Sequence, residues 1–156
     1  MQQYRHYQSI REIMRLKPSQ QPDKFGEMVM FLAQVSQCFP KVLAAFSDDV
    51  MGLLTEYAEV LDPELRQTLC RALFLMRNKG LVSSSTVLAL CFKLFRCPDK
   101  QLRTMLYKSI VSDIQQLNRK HKNNAVNRSL QNFMYSMLND TNAVAAKKSL
   151  DVMIEL

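Results

Sequence analysis

Apolar residues recur along this chain at three- and four-residue intervals, the spacing of one helix face, and no stretch alternates as a half-buried strand does. A first helix is predicted from about Gln2 to Leu16, closed by the polar break Lys17-Pro18-Ser19-Gln20-Gln21-Pro22. A second carries Phe25, Met28, Leu32, Val35 and Phe39 on one stripe, with Pro40 after the point where it should stop. A third, capped by Ser47, carries Val50, Leu54, Tyr57 and Leu61. The next presents Leu65, Leu69, Leu73 and Met76 before the C-terminal signal Asn78-Lys79-Gly80. After the capping cluster Ser83-Ser84-Ser85, the run Val87, Leu88, Leu90, Cys91, Phe92, Leu94 and Phe95 leaves little polar relief, so that helix is predicted to lie between neighbours. The helix after Pro98 repeats the stripe through Leu102, Leu106, Ile110, Ile114 and Leu117. Val126, Leu130, Phe133, Met134 and Met137 mark another, and Ala146, Leu150 and Met153 the last.

Two of these helices open alike. Asp62-Pro63-Glu64-Leu65-Arg66 and Pro98-Asp99-Lys100-Gln101-Leu102-Arg103 share Asp-x-x-Leu-Arg at a separation of 37 residues (99 minus 62). Asn139-Asp140-Thr141 opens a third, 41 residues further on (140 minus 99) and without the Arg. The element is a helix start: Asp62 accepts backbone N–H bonds as an N-cap, Pro63 fits the first helical position, and Asp and Arg four apart can pair on one face. In the second copy the cap is Cys97 or Asp99. Helix pairs repeating at about 40 residues predict an all-α, HEAT/armadillo-like α-solenoid of stacked helical hairpins, because such units must stack to bury their apolar faces. Asp151 to Leu156 stays helical and apolar in pattern to the last residue. The expectation is therefore one helical-repeat domain over 1–156, truncated at its C-terminal end, whose last helix exposes an apolar stripe.

Composition changes little in this picture. With 47% hydrophobic residues, three Gly and five Pro, the 156 residues suit an ordered helical domain. The ten Met recur at helical spacing and read as core packing rather than an exposed binding groove.

Charge adds a direction. Residues 1–61 carry six Lys+Arg against seven Asp+Glu, whereas residues 62–156 carry fifteen against seven, so the net +7 belongs to the repeats. The densest cluster is Arg119, Lys120, His121 and Lys122 with Asn123 and Asn124, followed by Arg128 and by Lys147 and Lys148. On an inter-helix connection such cations suit RNA phosphates, without interleaved aromatics for base stacking; a solvated loop, a localisation signal or an acidic protein partner would use the same residues.

Other chemistry finds little footing. Cys38, Cys70, Cys91 and Cys97 form no Cys-x-x-Cys pair and lie in or beside apolar helices, which reads as buried free thiols rather than a disulfide framework or zinc site. His6 and His121 lie far apart in sequence and neither has an evident catalytic partner; no phosphate-cradling Gly loop or hydrolase motif occurs. The expectation is a non-enzyme without cofactors or a small-molecule substrate. The longest purely apolar run, Val87 to Phe92, is too short to span a membrane and the first residues are polar, so the chain is read as cytosolic or nuclear.

Several segments in order also carry a family likeness: Gln2-Gln3-Tyr4-Arg5-His6-Tyr7-Gln8-Ser9, Met28-Val29-Met30-Phe31-Leu32-Ala33-Gln34-Val35, Leu61-Asp62-Pro63-Glu64-Leu65-Arg66, Lys120-His121-Lys122-Asn123-Asn124, Gln131-Asn132-Phe133-Met134-Tyr135 and Ser149-Leu150-Asp151-Val152-Met153-Ile154-Glu155-Leu156. Together they resemble the N-terminal region of the Sda family, named for severe depolymerisation of actin. The resemblance implies a non-enzymatic nucleolar and nuclear factor in the maturation and export of large (60S) pre-ribosomal subunits, with ribosomal RNA and assembly factors as partners. It carries no catalytic residues. Charge clustering then nominates Arg119, Lys120, Lys122 and Arg128 for RNA contact, supported by Lys147 and Lys148. A protein-only adaptor in intracellular transport or actin organisation is the competing expectation.

Overall fold

A computed structural model describes residues 2–20, 22 and 24–120, and beyond them Arg128, Gln131, Asn132, Tyr135, Ala143, Lys147, Leu150, Asp151 and Ile154. Among the described residues there are six helices and no strand: α1 (Gln2–Leu16), α2 (Phe25–Val35), α3 (Phe46–Tyr57), α4 (Pro63–Asn78), α5 (Ser84–Leu94) and α6 (Lys100–Lys120). They fall into two compact units, Met1–Ser83 with α1 to α4 and Ser84–Leu156 with α5 and α6.

The first unit is built on α2 against α4, with α1 beside α2 and α3 beside α4. Tyr7 of α1 is fully buried at its centre, stacked on Phe25 at 5.5 Å and edge-on to Phe46 at 5.2 Å, so one ring joins the first three helices. Arg11 pairs with Asp49 in the first turn of α3, adding a charged link between α1 and α3. Burial pushes the Asp49 carboxyl up against the pull of that guanidinium.

Close approach of α2 to α4 depends on Gly26, where an added Cβ would lie 3.3 Å from the Thr68 methyl. At the other end, the Lys79 ammonium reaches the Ala33 carbonyl at 3.4 Å and the Gln34 carbonyl, while Gln37 donates to the Lys79 carbonyl at 3.0 Å. Both contacts join like ends, so α2 and α4 run parallel. That is how equivalent helices of successive hairpins stack in a helical-repeat array.

The repeated opening does more than start a helix. Asp62 accepts from the Glu64 and Leu65 amides at 3.1 and 3.2 Å, with Pro63 in the first position. In the second copy Asp99 is the capping residue, accepting from the Leu102 amide at 3.0 Å. The Arg of each copy then reaches back eight residues: Arg66 donates to the Ala58 carbonyl at 2.6 Å and Arg103 to the Phe95 carbonyl at 3.2 Å. Ala58 and Phe95 directly follow α3 and α5, where carbonyls lack intrahelical partners. One motif therefore satisfies orphan donors at the start of the second helix and an orphan acceptor at the end of the first, fixing the α3–α4 and α5–α6 corners. The expected Asp–Arg pairing described this geometry incompletely, because Arg66 is 4% exposed and is spent on a backbone carbonyl.

Elsewhere the α4 exit follows its sequence signal. Gly80 sits at φ 75, the Gly80 amide donates to the Arg77 carbonyl at 2.9 Å and the Leu81 amide to Met76 at 3.0 Å, a Schellman ending. Leu65, Leu69, Leu73 and Met76 are buried, as are Val87, Leu88, Leu90, Cys91, Phe92, Leu94 and Phe95, and Leu102, Leu106, Ile110 and Ile114. Leu117 is half-buried.

Several expectations need correction. The buried stripe of α2 is Phe25, Val29, Leu32 and Ala33; Met28 and Val35 are half-buried, and Phe39 is exposed beyond the helix end, which comes before Pro40 takes effect. Ser47 lies inside α3, whose N-cap position is Ala45 without a side-chain cap, and Leu61 is buried in the turn after α3 rather than on it. Met14 and Met76 are core residues, whereas Met28, Met30, Met51 and Met105 are half-buried. Cys70, Cys91 and Cys97 are buried free thiols; Cys38 is free but exposed, because α2 ends before it. Leu150 and Ile154, four residues apart on helical backbone, are both exposed, so Leu150 serves the expected apolar stripe rather than a core. Asn139-Asp140-Thr141, the stripe Val126, Leu130, Phe133, Met134 and Met137, and Ala146 and Met153 lie outside the described residues.

Two predictions follow from these contacts. In urea unfolding, Asp62→Ala should cost about 1 kcal/mol through the lost cap. Arg66→Ala should cost about 2 kcal/mol by leaving a part-buried carbonyl without its charged donor. Equal, negligible effects would show that the hairpin corner does not need the motif. The Tyr7 hydroxyl has no hydrogen-bond partner among the described residues and its ionisation is pushed up, first by burial and then by the Asp49 charge. Tyr7→Phe should therefore stabilise by about 1 kcal/mol. An unfolded tyrosine ionises near pH 10 while the folded one stays neutral, so its stability is full below about pH 10 and lost above it. Tyr7→Phe should lose less stability than the parent across that alkaline range, which unfolding midpoints at stepped pH would measure.

Candidate nucleic-acid interface

Lysine and arginine side chains can hold phosphate only if they are exposed and not already neutralised by a carboxylate. In the first unit Arg11 and Arg15 are neutralised in this way. Arg11 pairs with Glu12 at 2.8 Å and with Asp49, and Arg15 lies 3.7 Å from Glu12. Residues 1–83 carry ten Lys+Arg against nine Asp+Glu, close to neutrality.

The second unit differs. Residues 84–156 carry eleven Lys+Arg against five Asp+Glu, a net +6. Among its described residues Lys93, Arg96, Lys100, Lys108, Arg119, Arg128 and Lys147 are exposed, and no carboxylate is. Asp113 is buried and Asp99 is occupied as the α6 cap. Asp151 is half-buried, so among the described residues of this unit the only exposed charges are cations, which is the electrostatic footprint that draws polyanions.

Of the six nominated residues, Arg119 is exposed in the last turn of α6, and Arg128 and Lys147 are exposed on helical backbone. None of these three makes an ion pair among the described residues. Lys120 is the final residue of α6, and its side chain lies outside the described set, as do Lys122 and Lys148. Sequence reading missed Lys100 and Lys108. Neither belongs to a dense run, and the signal that finds them is the helical phase of α6, which puts Lys108 within about 20° of Arg119 and Lys100 within about 100° of both, on the exposed side.

The remaining candidate chemistry is dispersed. His6 is exposed in an open hollow of about 500 Å³ lined also by Gln3, Lys24, Glu27, Met28 and Phe31, with neither a Cys nor an Asp in its wall. His121 lies outside the described residues. Among the described residues no three His, Cys, Asp or Glu converge as a metal site, and no helix is long and apolar enough to cross a membrane.

Comparison with known proteins adds an independent line. A family model described as "SDA1, HEAT repeat" matches residues 31–156. The protein SDA1 homolog of Nematostella vectensis is 56% identical over 156 residues, covering 100% of this chain and 23% of its own length. The homolog of Xenopus tropicalis is 53% identical over the same span and coverage. That of Drosophila melanogaster is 51% identical over 154 residues, covering 99% of this chain and 22% of its own. The chain therefore spans less than a quarter of the length of these curated relatives.

Proposed function

The chain belongs to the SDA1 HEAT-repeat family, and on that footing we propose that it acts without catalysis in ribosome biogenesis. Its role is to help large pre-ribosomal subunits mature and leave the nucleus, as a helical-repeat scaffold that binds precursor ribosomal RNA and assembly proteins in the nucleolus and nucleus. The observation that carries this reading is the sign of the second unit's surface, where every described exposed charge is a cation. Phosphate neutralisation by such a surface releases counterions, gives affinity without base recognition and needs no cofactor. Helical hairpins suit the task because the α3–α4 and α5–α6 corners are each held by their own Asp and Arg, so the cations ride on a framework that does not have to fold around the RNA. The nominated contacts are Arg119, Lys120, Lys122 and Arg128, with Lys147 and Lys148 in support.

Gradient sedimentation of the tagged chain in nuclear extract, with and without ribonuclease, tests the proposal. The chain should travel with large-subunit precursor RNA and move to the top of the gradient after ribonuclease. Co-sedimentation with protein complexes that survives ribonuclease would instead support a protein-only adaptor in transport or actin organisation and overturn the RNA reading.

A further inference from the structure

Helix α6 has 21 residues, a rod of about 30 Å at 1.5 Å per residue. Its buried side is Leu102, Leu106, Ile110, Asp113 and Ile114. The opposite side exposes Lys100, Thr104, Lys108, Ser112, Gln115 and Arg119. At about 100° per residue, Lys108 and Arg119 point within roughly 20° of one another and sit about 16 Å apart along the axis. Asp113, the one carboxylate in α6, is on the buried side, so this face offers cations interleaved with neutral hydroxyls and amides.

We infer that this face is a docking rail for the backbone of A-form duplex RNA, an inference that rests on the RNA reading above and names the form of RNA and the residues that meet it. Three features select that occupant. The charge is complementary to phosphate and unopposed. No exposed aromatic lies on the face, Tyr107 being half-buried, so the base stacking that holds single strands has no platform. No exposed apolar side chain lies there either, so the central anchor on which protein interfaces depend is missing. Duplex RNA is held by phosphate and 2′-hydroxyl contacts across its wide, shallow minor groove, which a rigid helix with spaced cations and neutral hydrogen-bonding groups matches.

The test is fluorescence anisotropy of an RNA duplex of about 16 base pairs across a KCl series. It compares the parent chain with Lys100→Gln/Lys108→Gln, with Arg119→Ala/Lys120→Ala/Lys122→Ala/Arg128→Ala, and with Lys17→Gln/Lys41→Gln as a control that removes the same charge from exposed sites of the first unit. The Lys100/Lys108 variant should lose about two from the slope of log K against log salt, about one per lysine, and bind several-fold more weakly at low salt. The control should keep the parent slope. If the parent binds duplex RNA, the Lys100/Lys108 variant keeps the full slope and the four-residue variant loses it, the rail is overturned while the RNA reading stands. A parent chain that binds no RNA overturns both. Tighter binding to single-stranded poly(U) than to the duplex, or displacement of the duplex by equimolar poly-glutamate, also overturns the rail.

Discussion

A hairpin of two helices has to turn where both are least able to satisfy their own backbones, since the last four carbonyls of one and the first four amides of the next lack intrahelical partners. Here a single motif meets both demands. Asp62 and Asp99 take amides at the start of the second helix, while Arg66 and Arg103 take the carbonyls of Ala58 and Phe95 at the end of the first. The guanidinium is suited to the second task because it stays charged when buried and offers several donors in a fixed fork. With the corners fixed locally, the Leu stripes of α4 and α6 face inward and the polar sides outward. In the first unit the parallel stacking of α2 and α4 follows, held by Gly26 against Thr68 and by Lys79 on the α2 carbonyls.

That arrangement also shapes the charge of the surface. Among the described residues of the second unit, Asp99 serves as a cap, Asp113 is buried and Asp151 is half-buried, whereas Lys93, Lys100, Lys108 and Lys147 are exposed. Capping uses carboxylates at helix starts because they suit both the free amides and the positive end of the helix dipole. The same choice keeps Asp99 at the helix start, and burial keeps Asp113 off the exposed side of α6. Fold and electrostatics are therefore linked through a few aspartates.

Local chemistry was the legible part of the sequence. Pro63 after Asp62, the Gly80 exit and the Leu stripes each act within one or two turns, and all appear in the structure where the pattern placed them. What escaped reading depends on neighbours. The sequence offers the Arg of the repeated motif a possible partner in the Asp four residues before it, whereas the carbonyl it reaches, eight residues back, becomes close only once the hairpin has formed. Phe39 and Ser47 misled because a Phe at the right spacing and a Ser before acids resemble a stripe and a cap, yet α2 had already ended and α3 had already begun. Lys100 and Lys108 stand apart from the dense basic runs, and only the folded helix brings them to its exposed side.

The most direct test of the central claim, that the charged surface of residues 84–156 meets RNA while residues 1–83 serve as framework, is ultraviolet crosslinking of the chain to RNA in purified pre-ribosomal particles, with peptides mapped by mass spectrometry. The account predicts nucleotide adducts on peptides from α6 onward, around Arg119 and Arg128, and none of comparable yield from α1 to α4. Adducts concentrated in residues 1–83, with the second unit unmodified, would contradict it.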